Sequence, residues 1–288
     1  MIPLLRLLLL LVPLEVLAFE RALAPGSLLA GLDRSSAALI GERIFKNEAA
    51  GRREWLVHWL DGEDHLSLGI GHFIWYPAGR TGPYRESFPE FLAFVERQGV
   101  AMPGWLSSRT PAPWPDRTAF LAARGEPMLE QLRSWLIVTM PHQTAFMTDR
   151  LARAVPVMLQ SAAPERRETI RRRIERLLFA PDGRVRPGGA YALIDYVNFK
   201  GDGTDPAERH QGIGWGLLQV LDEMTPGASD PRVAFADAAE RVLRRRVALA
   251  PAGRPEDRWL AGWLIRVRTY GTFDVPAATS VDQAAQGS

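Results

Sequence analysis

A predominantly helical α+β fold is what the sequence predicts, and three observations predict it. Apolar residues recur at helical spacing over about 117–138, 142–160 and 164–179, and again from 191 to about 270 with one Gly-rich interruption. Only residues 66–75 alternate as a strand does. Stretches rich in Gly and Pro, over 76–115 and at PDGRVRPGG (181–189), separate the periodic segments as long connections, with one helical piece near 88–97.

Composition narrows the function classes. At 47% hydrophobic and 24% charged residues in 288, the chain is neither disordered nor fibrous and can bury a core. There is no Cys, which excludes disulfides, thiolate metal sites and a Cys nucleophile. A net charge of +2, from 35 basic against 33 acidic residues, leaves no footprint for nucleic acid. Apart from Lys46 and Lys200 the basic residues are Arg.

Taken in order, residues 1–18 read as a secretory signal. Arg6 precedes an apolar stretch from Leu7 to Leu14, and Val16 and Ala18 form the small-residue pattern before a cleavage point. Pro13 and Glu15 interrupt the run before it reaches the roughly 20 residues of a membrane span. Export to the periplasm or the medium follows, with no stable membrane insertion after cleavage. Residues 19–274 form the folded domain, with 76–186 as its distinctive insertion, and 275–288 read as a disordered tail.

The densest chemistry lies between residues 35 and 75. Ser35 or Ser36 can cap a helix carrying Ile40 and Ile44, and Gly51 can end it. Counting on in fours reaches Glu48 on the apolar face of the last turn, where desolvation and the negative end of the helix dipole favour a neutral carboxyl. A protonated carboxyl is what a general acid requires. The competing reading is a Glu that leans out to pair with Arg52 or Arg53. In the strand, Ser67, Gly69 and Gly71 share one face opposite Leu68, Ile70 and His72, leaving a bare backbone strip for a ligand chain or a tight hairpin. The turn between holds Asp61, Glu63 and Asp64, any of which can supply the second carboxylate of a glycosidase. Trp55, Trp59 and Trp75 flank these motifs as sugar platforms or core. His58, His65 and His72 recur every seven residues, but Gly62 and the Gly-x-Gly strand break any helix that would align them on zinc, so no metal and no cofactor is expected.

Together, Glu48, Gly51, Asp61 and the run Ser67-Leu68-Gly69-Ile70-Gly71-His72 resemble the catalytic region of phage-type lysozymes, the endolysin family of muramidases. YALIDYVNFKG (191–201) is similar to that family's cleft-floor helix, with Asp195 where the family has Ser and Asn198-Phe199 in reversed order. WLAGWLIRVRTY (259–270) resembles its closing helix. GWGLLQVL (214–221) is similar to a lytic transglycosylase signature, but its order relative to Glu48 differs, and it is read as a helix start packing a core.

The resemblance implies a lysozyme-like fold with a short β-hairpin region and a helical lobe. It also implies cleavage of the bond between N-acetylmuramic acid and N-acetylglucosamine in peptidoglycan. In it Glu48 is the general acid, Asp61 (or Glu63 or Asp64) the second carboxylate and Ser67 the water-positioning hydroxyl. Gly69, Gly71, His72, Asp195 and Asn198 line the substrate. A lytic transglycosylase and a non-catalytic wall-glycan-binding protein are the alternatives.

Overall fold

The computed structural model describes residue 19, residues 21–24 and residues 26–275. Residues 1–18, read from the sequence as a secretory signal, and the tail beyond Val275 lie outside the described residues.

A short helix α1 (Ser27–Ala30) leads into α2 (Arg34–Ala49), then a single 3-10 turn (Arg53–Leu56). Three short strands follow, β1 (Val57–His58), β2 (Leu66–Leu68) and β3 (Phe73–Trp75), antiparallel in the order β1-β2-β3 with Val57 opposite Leu68 and Leu66 opposite Trp75. Helices α3 (Phe88–Arg97), α4 (Arg117–Ala122), α5 (Pro127–Val138), α6 (Met140–Ser161), α7 (Pro164–Leu178) and α8 (Pro187–Lys200) come next. A two-stranded hairpin, β4 (Arg209–His210) with β5 (Ile213–Gly214), precedes α9 (Leu217–Glu223), α10 (Pro231–Ala248) and α11 (Asp257–Thr272). The chain is therefore predominantly helical α+β.

Local chemistry accounts for most boundaries. Pro occupies the first turn of α3, α5, α6, α7, α8 and α10, where its missing N–H is no loss and its fixed φ suits the helix. The cap of α2 is Asp33, whose carboxylate accepts from the Ser36 amide at 2.8 Å, so the expected Ser cap is corrected. Gly125, at φ +85°, divides the periodic stretch 117–138 into α4 and α5.

Of the two readings of 66–75, a single alternating strand and a tight hairpin, the structure takes the hairpin and corrects the single strand. It breaks at Gly69–His72 into a turn, and Ser67 is buried along with its neighbours, so the alternation of faces does not hold. Gly69 adopts φ +69° and donates its amide to Leu56, while the fully buried Gln143 accepts from the Ile70 amide at 2.8 Å and donates to the Leu136 carbonyl. A Cβ at Gly69 would sit 2.3 Å from Gln143 Oε1. Gly69→Ala is expected to cost about 2 kcal/mol through this contact and the left-handed backbone, read as a lower urea midpoint at unchanged slope.

Much of the segment 76–186 packs against the small sheet. Phe91 and Phe146 pack on Phe73 of β3, fastening α3 and α6 to the hairpin. Trp75 is fully buried and donates to the Thr110 carbonyl, which removes it as a sugar platform. Trp114 is buried edge-on to Phe120, and Trp105 bonds Gln131. Helix α8 is the hub, almost wholly buried and touching α2, α6, α7, α9, α10 and α11. Among the described residues no helix is long and apolar enough to cross a membrane.

Candidate functional site

Glu48 stands on the last turn of α2, as its spacing from Ile40 and Ile44 requires. Its side chain is only 9% exposed, and it pairs with neither Arg52 nor Arg53. Instead Glu48 Oε1 accepts from Arg266 Nη2 at 2.6 Å, and Oε2 lies 3.2 Å from His72 Nδ1. The same guanidinium forks onto Asp195, with Nε and Nη2 each 2.8 Å from a carboxylate oxygen. Tyr270 adds a hydroxyl donor to Asp195 at 2.7 Å. Asp195, expected to line the substrate, is instead the partner of a buried Arg.

Electrostatics here oppose the expectation for Glu48. Burial pushes its carboxyl up, but the Arg266 charge and the adjacent His72 outweigh burial and leave it below the usual carboxylate range. In turn Arg266, although buried, is held firmly charged by Asp195 and Glu48. The neutral Glu48 is therefore corrected to an ionised one. A carboxylate with both oxygens engaged has no proton to lend at neutral pH.

The remaining residues disperse. Asp61 is 92% exposed on its side chain and lies 3.7 Å from Arg117; Asp64 lies 3.9 Å from Arg80, and Glu63 3.3 Å from His65. None pairs with anything in the Glu48 cluster. Ser67 is buried in β2 opposite His58 and Ile74. Gly71 lies under the Phe73 ring, and its carbonyl accepts from Asn198 Nδ2 at 3.0 Å, with Arg150 donating to Asn198 Oδ1 at 3.1 Å. Asn198 thus ties the turn after β2 to the rim of a cleft. His58 and His72 pack edge to face at 4.6 Å, and among the described residues no group of His, Asp and Glu is disposed to hold a metal ion.

That cleft encloses about 670 Å³. One wall is the loop 201–216, and Arg85, Ser87, Glu90, Arg150 and Arg153 supply the other. The loop leaves α8 through Gly201 at φ +78° and Gly203 at φ +86° and is clipped to α9 by its backbone, Leu217 to Gly201 and Leu218 to Asp202. Gln219 completes the clip, accepting from the Gly216 amide and donating to the Gly203 carbonyl. GWGLLQVL is thus more than a core-packing helix start, since its Gln219 shapes the cleft wall.

On this loop Asp202 accepts from the Thr204 amide and hydroxyl, and Asp205 from the Ala207 amide. Glu208, half-buried, lays its carboxyl against the backbone of Gly201, where a Cβ would meet Oε2 at 2.3 Å. Burial and the charges of Asp205 and Asp202 disfavour its ionised form, outweigh the opposing charges of Arg246 and Lys200, and push its pKa up to about 7. It has no ion-pair partner among the described residues. The sequence reading missed Glu208; its signal was the trio Asp202, Asp205 and Glu208 packed into the Gly-rich interruption.

A carboxyl that is protonated near neutrality, beside other carboxylates in an open cleft, is equipped to donate a proton to a bound molecule. No protein-family model, curated protein or solved structure matches the chain.

Proposed function

We propose that this protein is an exported glycosidase that cleaves the β-1,4 bond between N-acetylmuramic acid and N-acetylglucosamine in peptidoglycan, with Glu208 as general acid. The observation that carries the reading is Glu208 itself, protonated to about pH 7 in a cleft of about 670 Å³, with Asp202 and Asp205 on the same wall and Glu90 on the other. Glu208 gives its proton to the glycosidic oxygen. Asp202, oriented by Thr204, stabilises the positive charge that develops on the sugar or activates the attacking water. The role expected of Glu48 passes to Glu208, and Glu48 instead pairs with Arg266 in the buried cluster that also holds Asp195.

Further support comes from Arg85, Arg150 and Arg153, whose guanidinium groups suit the carboxylates of peptide stems. The peptidoglycan substrate rests on the resemblance of 48–72 and 191–201 to phage-type lysozymes, and export rests on residues 1–18.

A single digestion tests the reading. Protein lacking residues 1–18 is incubated with purified peptidoglycan, and released fragments are weighed by mass spectrometry. Reducing-end muropeptides are expected; anhydro-muropeptides instead would make the enzyme a lytic transglycosylase using the same donor. If no fragment is released, the catalytic reading is overturned. A non-catalytic wall-binding protein is the second reading, favoured by the locked Glu48–Arg266 pair, and it predicts co-sedimentation with the wall and an intact polymer.

A further inference from the structure

A second cavity of about 650 Å³ opens beside β1 and shares no lining residue with the Glu208 cleft. Its aromatic side is Trp55, 40% exposed, next to the buried Trp59, whose indole donates to the Glu63 carbonyl at 2.7 Å. An indole left open in a concavity beside a fixed neighbour is a stacking face without an occupant. His58 lines the same cavity, its ring edge-on to Trp55 at 5.6 Å. Burial and the neighbouring His72 push its pKa down to about 4, so the ring is neutral, and Nδ1 must carry the hydrogen because it contacts the Trp55 carbonyl at 2.8 Å. Nε2 is then an acceptor for a hydroxyl.

The charged side of the cavity is basic, with Arg52, Arg117, Arg124 and Arg133 against Glu54 and Asp61. Arg52 is matched by Glu54, and Arg117 lies within reach of Asp61. Arg124 is exposed and has no ion pair among the described residues. Arg133 is nine-tenths buried; it pairs with Glu130 through Nη1, yet its buried Nε has no hydrogen-bond partner. That Nε is closed to solvent, so what Arg133 gives the cavity it lines is positive charge, alongside the open guanidinium of Arg124.

We propose that this cavity is a second glycan site that takes a carboxylated sugar residue, with the C–H face of the ring on Trp55, a hydroxyl on His58 Nε2 and the carboxylate on Arg124 and Arg133. The site recognises a sugar acid whether or not the Glu208 cleft cleaves glycan. A hexuronic acid and a muramic acid share this chemistry.

The test is calorimetric titration of Glu208→Gln protein, in which cleavage does not interfere, with tetragalacturonic acid, N-acetylmuramic acid and the neutral chitotetraose. Binding to the second site is the part that Trp55→Ala or Arg124→Ala removes; both side chains are exposed, and circular dichroism checks that each variant is folded. At least one acid is expected to bind in this way, each substitution weakening it about tenfold, with chitotetraose indifferent to both. Which acid binds more tightly identifies the source. The proposal is overturned if neither acid binds, if neither substitution weakens binding, or if chitotetraose loses as much affinity as the acids. Failure here leaves peptidoglycan digestion intact, and absence of digestion leaves this binding intact, so the two readings fail separately.

Discussion

Glu208→Gln is expected to lower glycan cleavage by about 10²–10⁴-fold while the protein still binds its substrate, because Gln keeps the shape and hydrogen bonding of the side chain but has no acidic proton. The pH profile carries the same assignment. A general acid works only while protonated, so activity of the unmodified protein should fall as pH rises through about 7. Stability follows with a defined sign. The folded pKa of Glu208 lies above the ordinary 4.5, so its contribution is fully present below about pH 4.5 and is lost as pH rises through about 7. The Gln variant should therefore melt at a higher temperature than the unmodified protein at pH 8 and at a similar one at pH 4. Turnover unchanged by the substitution would remove Glu208 from the mechanism.

Arg266→Met is expected to be among the most destabilising single changes in the chain, about 3–5 kcal/mol at neutral pH. The substitution removes the one cation shared by Glu48 and Asp195 and leaves two carboxylates buried side by side. Arg266→Lys should recover only part of the loss, since an ammonium cannot fork onto Asp195 while also reaching Glu48. The penalty has its own pH dependence. Because the folded pKa of Glu48 lies below its ordinary value, the stability it contributes is present above about pH 4.5 and is lost as pH falls through the folded value. The gap between Arg266→Met and the unmodified protein should narrow in acid, as protonation relieves the unpaired carboxyls. Urea midpoints at pH 7 and pH 4 measure this, and an equal gap at both would show that Arg266 acts through packing on Phe199, over which its guanidinium lies at 3.9 Å, rather than through charge.

Much of the fold was legible from local patterns. The helix α3, Phe88–Arg97, announces itself by an apolar stripe behind a Ser-Phe-Pro start, and the long periodic runs correspond to α4 to α7. Misreadings arose where one backbone angle overrides periodicity. At Gly125 a left-handed residue ends α4, and at Gly69–His72 a turn interrupts an alternating stretch that otherwise looks extended. The loop 201–216 was read as an interruption because its hairpin is held from outside itself, by Gln219 and by the ion pair of Glu256 with Arg246 and the contact of Glu256 with His210.

By itself the sequence determined the helical α+β class, the placement of Glu48 on a buried helix face, and the residue types from which an acid–base site can be made. Only the tertiary structure decided which carboxyl keeps its proton. Arg266 lies 218 residues from Glu48 in the chain yet 2.6 Å from it in space, and it ionises the carboxyl that helix position alone would have left neutral. Glu208 sits in a segment that reads as a loop, and acquires its raised pKa from burial and from Asp205 and Asp202 only when the clip to α9 folds them together. Periodicity is a property of neighbours in sequence, whereas a pKa is set by the charges and solvent within a few ångströms in space, and folding alone chooses those.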